Sequence, residues 1–379
     1  MAERRVGIII HGATGRIGST QHLRNLLAIR ADGGVALRNG DRLLPEPLLC
    51  GRDASRLKAM AESHGGLRWT TDLDTALSGD DAVFMECTAT GFRVPLVQRA
   101  IAAGKHIHIE KPTAPSLAEA VALAQAADAA GVKHAVVQDK LFLPGFAKLR
   151  MLREAGFFGR LLSIRLESGW FVFDGTVLAA QRPSWNYRAT TGGGLALDML
   201  SHYRYMIEGL AAPFRRVACL CSTAIPERID ERGERYRVDV EDQVHCVAEL
   251  EGGIACTIGA SWATRVRRDD LIQVQIDGEA GSAVAGGHRC VTQAAVNTPS
   301  PRWNTERGQA QDFRTQWAEV PDTAPFASSF RLVWERFLRH LGEGAPCPTL
   351  WDGARMVQLA EACLRSSRGE GWVALQALG

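Results

Sequence analysis

The chain lacks an excess of either charge. Among its 379 residues, 44 are Lys or Arg and 42 are Asp or Glu, so the formal net charge is +2. A general nucleic-acid binder carries a basic excess, which sets that class aside. Long apolar runs are also missing. A bilayer span needs about 20 apolar residues in a row, and the longest runs here are a few residues. The nine cysteines, at 50, 87, 219, 221, 246, 256, 290, 347 and 363, include no C-x-x-C pair. Neither a structural zinc site nor a redox dithiol is signalled. An odd number without a framework reads as buried, reduced thiols in a cytoplasmic protein. Cys219 and Cys221 read as packing on one strand face. His106 and His108 alternate on a strand and lack a third ligand, so no metal is expected. No targeting segment is expected, because the apolar strand Val6–Ile10 leads directly into a glycine motif. There is no internal repeat and no low-complexity tract.

Glycine is abundant instead, with 38 residues. At about 150 residues per domain, the length suggests two domains. In the first part, strand-like and helix-like segments alternate. Val6–Ile10, Pro47–Cys50, Ala82–Cys87, His106–Ile109 and Lys133–Gln138 read as strands. Thr20–Arg30, Asp53–His64 and Val94–Ala103 read as helices, Asp72 caps a short one, and Ser116 to Glu119 opens another that ends near Gly131. Asn39-Gly40 predicts a small hairpin before the second strand. Such alternation marks a doubly wound parallel sheet. After residue 145 the pattern turns to strands: Leu161–Trp170, Ala218–Ala224, Gln243–Leu250, Ile254–Ser261 and Leu271–Asp277, with a Gly252-Gly253 turn. Residues 286–325 read as loop, and Phe330–Leu341 and Gly353–Ser366 as amphipathic helices. The expected fold is α/β: a Rossmann domain over 1–145, then an α+β domain over 146–379 with an open, largely antiparallel sheet. The C-terminal helices are expected to pack back on the first domain.

Gly12-Ala13-Thr14-Gly15-Arg16-Ile17-Gly18 follows the first strand and opens a helix. Glycines there let the backbone turn tightly and approach a pyrophosphate, which sits on free N–H groups at a helix N-terminus. A dinucleotide site is expected on this loop. At the end of the second strand, Gly51, Arg52 and Asp53 stand where the ribose is read. Arg52, with Arg56, suits a 2′-phosphate and favours NADP. Asp53 keeps NAD open.

Two further motifs stand out. One is a strand ending Glu110-Lys111-Pro112, and the other is Gly192-Gly193-Gly194 before Asp198 and His202. Asp198 and His202 are four apart and share one helix face. The glycines before them would allow close approach to a ring or a substrate. In this order and over nearly the whole length, these motifs resemble the Gfo/Idh/MocA oxidoreductases, the glucose-fructose oxidoreductase and inositol dehydrogenase family. The resemblance implies hydride transfer between NAD or NADP and a secondary alcohol or ketone of a sugar, cyclitol or similar polyol ring. It implies Lys111 and His202 as acid/base residues, with Asp198 orienting them. Thr88, Glu110 and Lys111 join the loop residues as expected dinucleotide contacts.

The family's Pro-x-x-x-His turn is replaced by Thr88 to Arg93, with arginine in place of histidine, and Tyr205 stands where the family has an Asp. Lys140, Trp185, Tyr187, Arg188 and His202 are expected substrate contacts, with Asp139 beside Lys140. Two other readings keep the fold. One is a redox-neutral, NAD-dependent glycoside-cleaving enzyme, and the other is a non-catalytic dinucleotide-binding regulator. An uncovered sheet face predicts a homodimer or homotetramer. Neither a nucleic acid nor a membrane is an expected partner.

Overall fold

The fold is described from a computed structural model, which covers residues 2–300, 306, 312–322 and 325–378. Its first sheet is built from apolar runs buried on both faces, the signature of parallel strands under helices. Ile8, Ile9 and Ile10 are all fully buried. The strands are β1 (Glu3–His11), β2 (Val35–Ala36), β3 (Arg42–Cys50), β4 (Arg68–Thr70), β5 (Val83–Glu86), β6 (His106–Ile109) and β7 (His134–Val136). They lie in the order β2-β3-β1-β5-β6-β7, with β4 beside the end of β3. All pairs are parallel except β2 with β3.

Asn39-Gly40 does reverse the chain, and Gly40 has φ 86°. However, the second arm of that hairpin is the second long strand itself, not a separate insertion before it. Pro45 and Pro47 lie inside β3. Over that stretch β3 has a neighbour on one side only, so a missing N–H is tolerated. The first helix runs through a π-turn at Gly18–Leu23 into α1 (Arg24–Ala31). It is followed by α2 (Ala54–Ser63), α3 (Leu73–Ser78), α4 (Thr90–Ala102) and α5 (Leu117–Ala129). Asp53, Asp72 and Ser116 cap α2, α3 and α5 through their side chains.

After α6 (Pro144–Glu154) comes a second sheet: β8 (Leu161–Gly169), β9 (Phe214–Ser222), β12 (Gln243–Leu250), β13 (Ala255–Ser261), β14 (Ile272–Gly278), β15 (Gly281–Ala285), β16 (Cys290–Ala294), β17 (Ala318–Glu319) and β18 (Val373–Ala374). A separate ribbon pairs β10 (Glu227–Ile229) with β11 (Arg235–Arg237). The sheet order is β17-β16-β15-β14-β8-β13-β12-β9-β18. Every pair is antiparallel except β8 with β13. Residues 286–325, expected to be loop, therefore contribute β16 and β17. Their short polar segments become strands by extending an existing edge. Residues 301–305, 307–311 and 323–324 of that stretch lie outside the described residues.

Helices α7 (Leu195–Leu210), α8 (Ser329–Glu343) and α9 (Leu350–Arg365) complete the chain. Val333, Trp334, Phe337 and Leu338 of α8 share a core with Ile8, Ile10 and Leu23 of the first domain. Helix α9 lies against both α5 and α7, bridging the two sheets. Leu220 and Val247 are exposed on the opposite face of the second sheet. No described helix is long and apolar enough to cross a membrane.

Candidate active site

The glycine loop meets β5 at its carboxyl end. Gly12 has φ 84°, and a Cβ there would come within 2.9 Å of the Thr88 methyl. At Gly18 a Cβ would lie 2.6 Å from the Gly12 carbonyl oxygen, so this glycine lets the helix start close on the loop. The result is a helix N-terminus facing the carboxyl ends of the parallel strands, the arrangement that binds a dinucleotide pyrophosphate. Arg56 donates to the Thr14 carbonyl at 2.8 Å and steadies the loop. At the end of β3, Arg52 is exposed. The Asp53 carboxylate accepts from Arg56 N at 3.0 Å and from Ser55 Oγ at 2.7 Å. Asp53 therefore caps α2 through Oδ1.

A buried ionic cluster lies beneath the next strand ends. Glu86 accepts from Thr88 N at 2.6 Å, from the Thr88 hydroxyl, and from Arg93 Nε at 2.6 Å. Burial pushes the Glu86 pKa up, but Arg93, His11 and Thr88 outweigh it and hold the group at about 2. Arg93 also donates to the Thr88 carbonyl at 2.8 Å and to the Pro112 carbonyl. The arginine that replaces the family histidine thus ties two strand ends together, and the Lys111–Pro112 peptide is cis. Glu110 is held by His22 Nε2 at 2.9 Å. Trp334 Nε1 approaches His22 Nδ1 at 3.1 Å. An indole N–H only donates, so Nδ1 accepts and Nε2 carries the hydrogen given to Glu110.

Lys111 reaches across to the second domain. Its Nζ donates to Asp198 Oδ1 at 2.5 Å and to the Asp198 carbonyl at 2.9 Å. Arg182 Nη2 lies 2.7 Å from Asp198 Oδ2. It is out of line for a hydrogen bond, so this contact is ionic. Burial lowers the Lys111 pKa, with Arg182 adding to the effect and Asp198 opposing it. For Asp198, burial acts upward, but Arg182 and Lys111 keep the carboxyl below its ordinary range. Its place in the first turn of α7 adds a favourable helix dipole.

His202 is one turn further along α7 and 6 % exposed. Its Nδ1 is 3.3 Å from Gln138 Oε1 and 3.9 Å from Asp139 Oδ1. Two acceptors face Nδ1, so that nitrogen carries the hydrogen and Nε2 keeps a lone pair. Burial, then Lys140, Lys111 and Arg182, push the His202 pKa well below its ordinary value. The imidazole is neutral at pH 7. Lys140 Nζ donates to Asp139 Oδ2 at 2.8 Å.

The fold thus brings Lys111, Asp198, His202 and Lys140 together from both domains. Several other expected contacts are employed elsewhere. A Cβ on Gly192 would meet Thr90 at 3.3 Å, one on Gly193 would meet the Asn186 carbonyl oxygen at 2.4 Å, and one on Gly194 would meet Glu241 Oε1 at 2.6 Å. The space beside these glycines is filled by the protein itself, not left for a ring or a substrate. Tyr187 is fully buried and donates to the Phe173 carbonyl at 2.7 Å, with its ring against Trp262. It anchors the loop. Arg188 is exposed over the Tyr236 ring at 4.9 Å. Trp185 is half-buried, and its carbonyl accepts from the Thr191 hydroxyl at 2.7 Å.

Three residues that sequence reasoning missed shape the site: Arg182, Gln138 and Glu241. The Glu241 carboxylate accepts from Ala196 N at 2.8 Å and so caps α7, the helix that carries Asp198 and His202. None lies at a motif spacing, so nothing in the sequence singles them out.

Comparison with known proteins now adds to this geometry. Residues 5–138 match the oxidoreductase family model with an NAD-binding Rossmann fold, and residues 146–284 match the GFO/IDH/MocA C-terminal domain. A D-xylose dehydrogenase from Paenarthrobacter nicotinovorans is 44 % identical over 96 % of this chain and 95 % of its own. This chain belongs to the Gfo/Idh/MocA family. Like other family members, it is an NAD-binding oxidoreductase. A levoglucosan dehydrogenase from Pseudarthrobacter phenanthrenivorans is 27 % identical over 72 % of this chain and 74 % of its own. Among solved structures, a levoglucosan dehydrogenase in complex with NADH and L-sorbose shares the fold, with a TM-score of 0.80 and 22 % identity over 99 % of this chain and 100 % of that one. So does a super-repressor mutant of Gal80p from Saccharomyces cerevisiae, with a TM-score of 0.77 and 14 % identity over 98 % of both chains. The family fold therefore serves enzymes and regulators alike, and the site residues must separate them.

Proposed function

We propose that the protein is a sugar dehydrogenase that oxidises a CH–OH group of an aldopentose-like ring, with D-xylose the first substrate to test. The observation that carries this reading is Lys111 held on Asp198 beside a neutral His202. That set suits proton removal from a hydroxyl, and a regulator has no need of it. The 44 % identical D-xylose dehydrogenase supports the choice of sugar.

The residues divide the work as follows. The glycine loop, Gly12 to Gly18, holds the dinucleotide phosphates, with Thr88 and Glu110 at the neighbouring strand ends. The dinucleotide held there would supply the hydride acceptor. His202 Nε2 takes the hydroxyl proton. Burial keeps His202 neutral, and Gln138 and Asp139 fix its orientation. Lys111 has three N–H donors, and two are engaged by Asp198. The third donates to the substrate oxygen as negative charge builds there. Arg182 and Lys140 add positive charge around the same oxygen, and their guanidinium and ammonium groups can bind sugar hydroxyls.

Arg52, exposed at the end of β3, favours NADP. The free cysteines favour the cytoplasm, and the exposed Leu220 and Val247 support a homodimer or homotetramer joined through the open sheet face. Light scattering at micromolar concentration tests that assembly, and a monomer would remove it. The enzyme reading is tested with a panel of aldopentoses, hexoses, cyclitols and keto-sugars, following nicotinamide absorbance with NAD and with NADP. Turnover with D-xylose or a near relative is expected. No turnover with any sugar, together with tight dinucleotide binding, would favour the regulator.

A further inference from the structure

Behind the site, away from any dinucleotide, four thiols converge. Cys219 and Cys221 lie two apart on β9 and share a face. Cys246 is the cross-strand partner of Cys219 on β12. The backbone N–H of Cys219 bonds outward, to Ser366 Oγ at 2.8 Å. Cys219 and Cys246 are therefore a non-hydrogen-bonded pair, the kind whose side chains approach closely. Helix α9 lays Cys363 over them. The Cys246 and Cys363 sulfurs are 3.9 Å apart, and those of Cys219 and Cys221 are 3.7 Å apart. The sulfurs of Cys219, Cys246 and Cys363 all lie within 4.8 Å of one another. None of the chain's nine cysteines is in a disulfide.

We propose that Cys219, Cys246 and Cys363, with Cys221 at the rim, bind one soft closed-shell cation, Zn(II) or Cu(I). A metal–sulfur bond of about 2.3 Å places ligand sulfurs about 3.8 Å apart in a tetrahedron and about 4.0 Å apart in a trigonal plane. The Cys246–Cys363 and Cys219–Cys221 spacings match these values to within about 0.3 Å, and the sulfurs of Cys219, Cys246 and Cys363 lie within 4.8 Å of one another, so closing on a cation takes side-chain shifts of at most about 1 Å. Thiolates are the ligands that select these two cations over harder ones. Cys246 and Cys363 are buried, while Cys219 and Cys221 are half-buried and give a path of entry. Each ligating thiol gives its proton to solvent as the cation binds. The bound cation would pin α9 to β9 and β12. Helix α9 also bridges to α5 of the first domain, and its Met356 sulfur accepts from Gln138 Nε2 at 2.9 Å, next to His202. The clip would thus stiffen the domain junction behind the site, and it does not depend on the identity of the sugar.

The test uses untagged, full-length, reduced protein stripped with a chelator. Zn(II), and separately Cu(I) under anaerobic conditions, is titrated against a chromophoric chelator, and the melting midpoint is followed. Wild type should hold one equivalent of at least one cation, with the midpoint rising by about 3 °C or more. Cys246→Ala and Cys363→Ala should each weaken binding by about 100-fold, and the half-exposed Cys219→Ala should do so with the fold best preserved. Cys290→Ala, far from the group in the sheet order, should bind as wild type. The proposal fails if wild type retains neither cation, or if binding survives in both Cys246→Ala and Cys363→Ala.

Discussion

The two glycine runs look alike in the sequence and both allow close approach, but they bring different things together. Gly12, Gly15 and Gly18 lie close against Thr88 and the loop's own backbone, folding one tight turn into a helix N-terminus beside the strand ends. In contrast, Gly192, Gly193 and Gly194 have their space filled by Thr90, a backbone carbonyl and Glu241. The first run tightens a single loop, the turn that leaves helix N-terminal N–H groups free for a phosphate. The second lets one piece of protein approach another, fitting the loop before α7 against the first domain. What differs is the surroundings, since the missing side chain is the same. A glycine marks a close approach without saying what approaches.

The sharpest way to probe the contrast is through the helix that the second run leads into. Lys111→Met and His202→Ala should each lower kcat by about 100-fold or more while leaving dinucleotide binding intact. Stopped assays alongside fluorescence titration of the nucleotide check both statements. Full turnover in both variants would show that the second run positions no catalytic groups. The same histidine sets a pH expectation. Its folded pKa lies well below about 6.5, so kcat/KM should stay flat down through pH 6.5 and fall only at lower pH. Stability shares the sign. Below the unfolded value the unfolded chain binds more protons at this position, so acidification from pH 6.5 towards the folded pKa erodes stability.

The glycines themselves give the next effect. Gly193→Ala forces a Cβ onto a backbone oxygen and should cost about 2–3 kcal/mol of stability, read as a lowered melting midpoint, with the KM for dinucleotide nearly unchanged in the folded fraction. Gly12→Ala should do the reverse. It should raise the dinucleotide KM by about tenfold, with a smaller stability loss of about 1–2 kcal/mol from its positive φ. Equal effects of the two substitutions on KM would erase the distinction. The smallest effect expected is at the ribose end. Arg52→Ala should raise the KM for NADP by about fivefold, matching roughly 1 kcal/mol for an exposed ionic contact, and leave NAD unaffected.

Much of the fold was legible because its signals are local. Ile8 to Ile10 announced a parallel strand buried on both faces. Ser116 and Asp72 announced their helices by capping chemistry, and Gly252-Gly253 announced the turn between β12 and β13. Where local signal was weak, the reading failed. The short strands β16 and β17 hold their conformation through the sheet edge they extend, not through propensity. Pro45 and Pro47 hid the length of β3, because proline is compatible with a strand only where one side lacks a partner. Of the site, Lys111, Asp198 and His202 could be named from the motifs that carry the family resemblance. Arg182, Gln138 and Glu241 could not, because each acts through a contact with a residue far away in sequence. Tyr187 was misplaced for the same reason: an aromatic residue before a glycine run looks the same whether it lines a pocket or anchors a loop.

By itself, then, the chain's order of residues determined the class of fold, the glycine loop that opens the first helix and the pairing of Asp198 with His202 on one helix face. These depend on periodicity and on backbone freedom, which a few neighbouring residues set. Only the tertiary structure decided what fills the space beside each glycine, which cations surround Asp198, and that four thiols meet behind the site. Those are meetings of distant segments, and burial, which sets the protonation of His202 and Lys111, exists only once the segments have met.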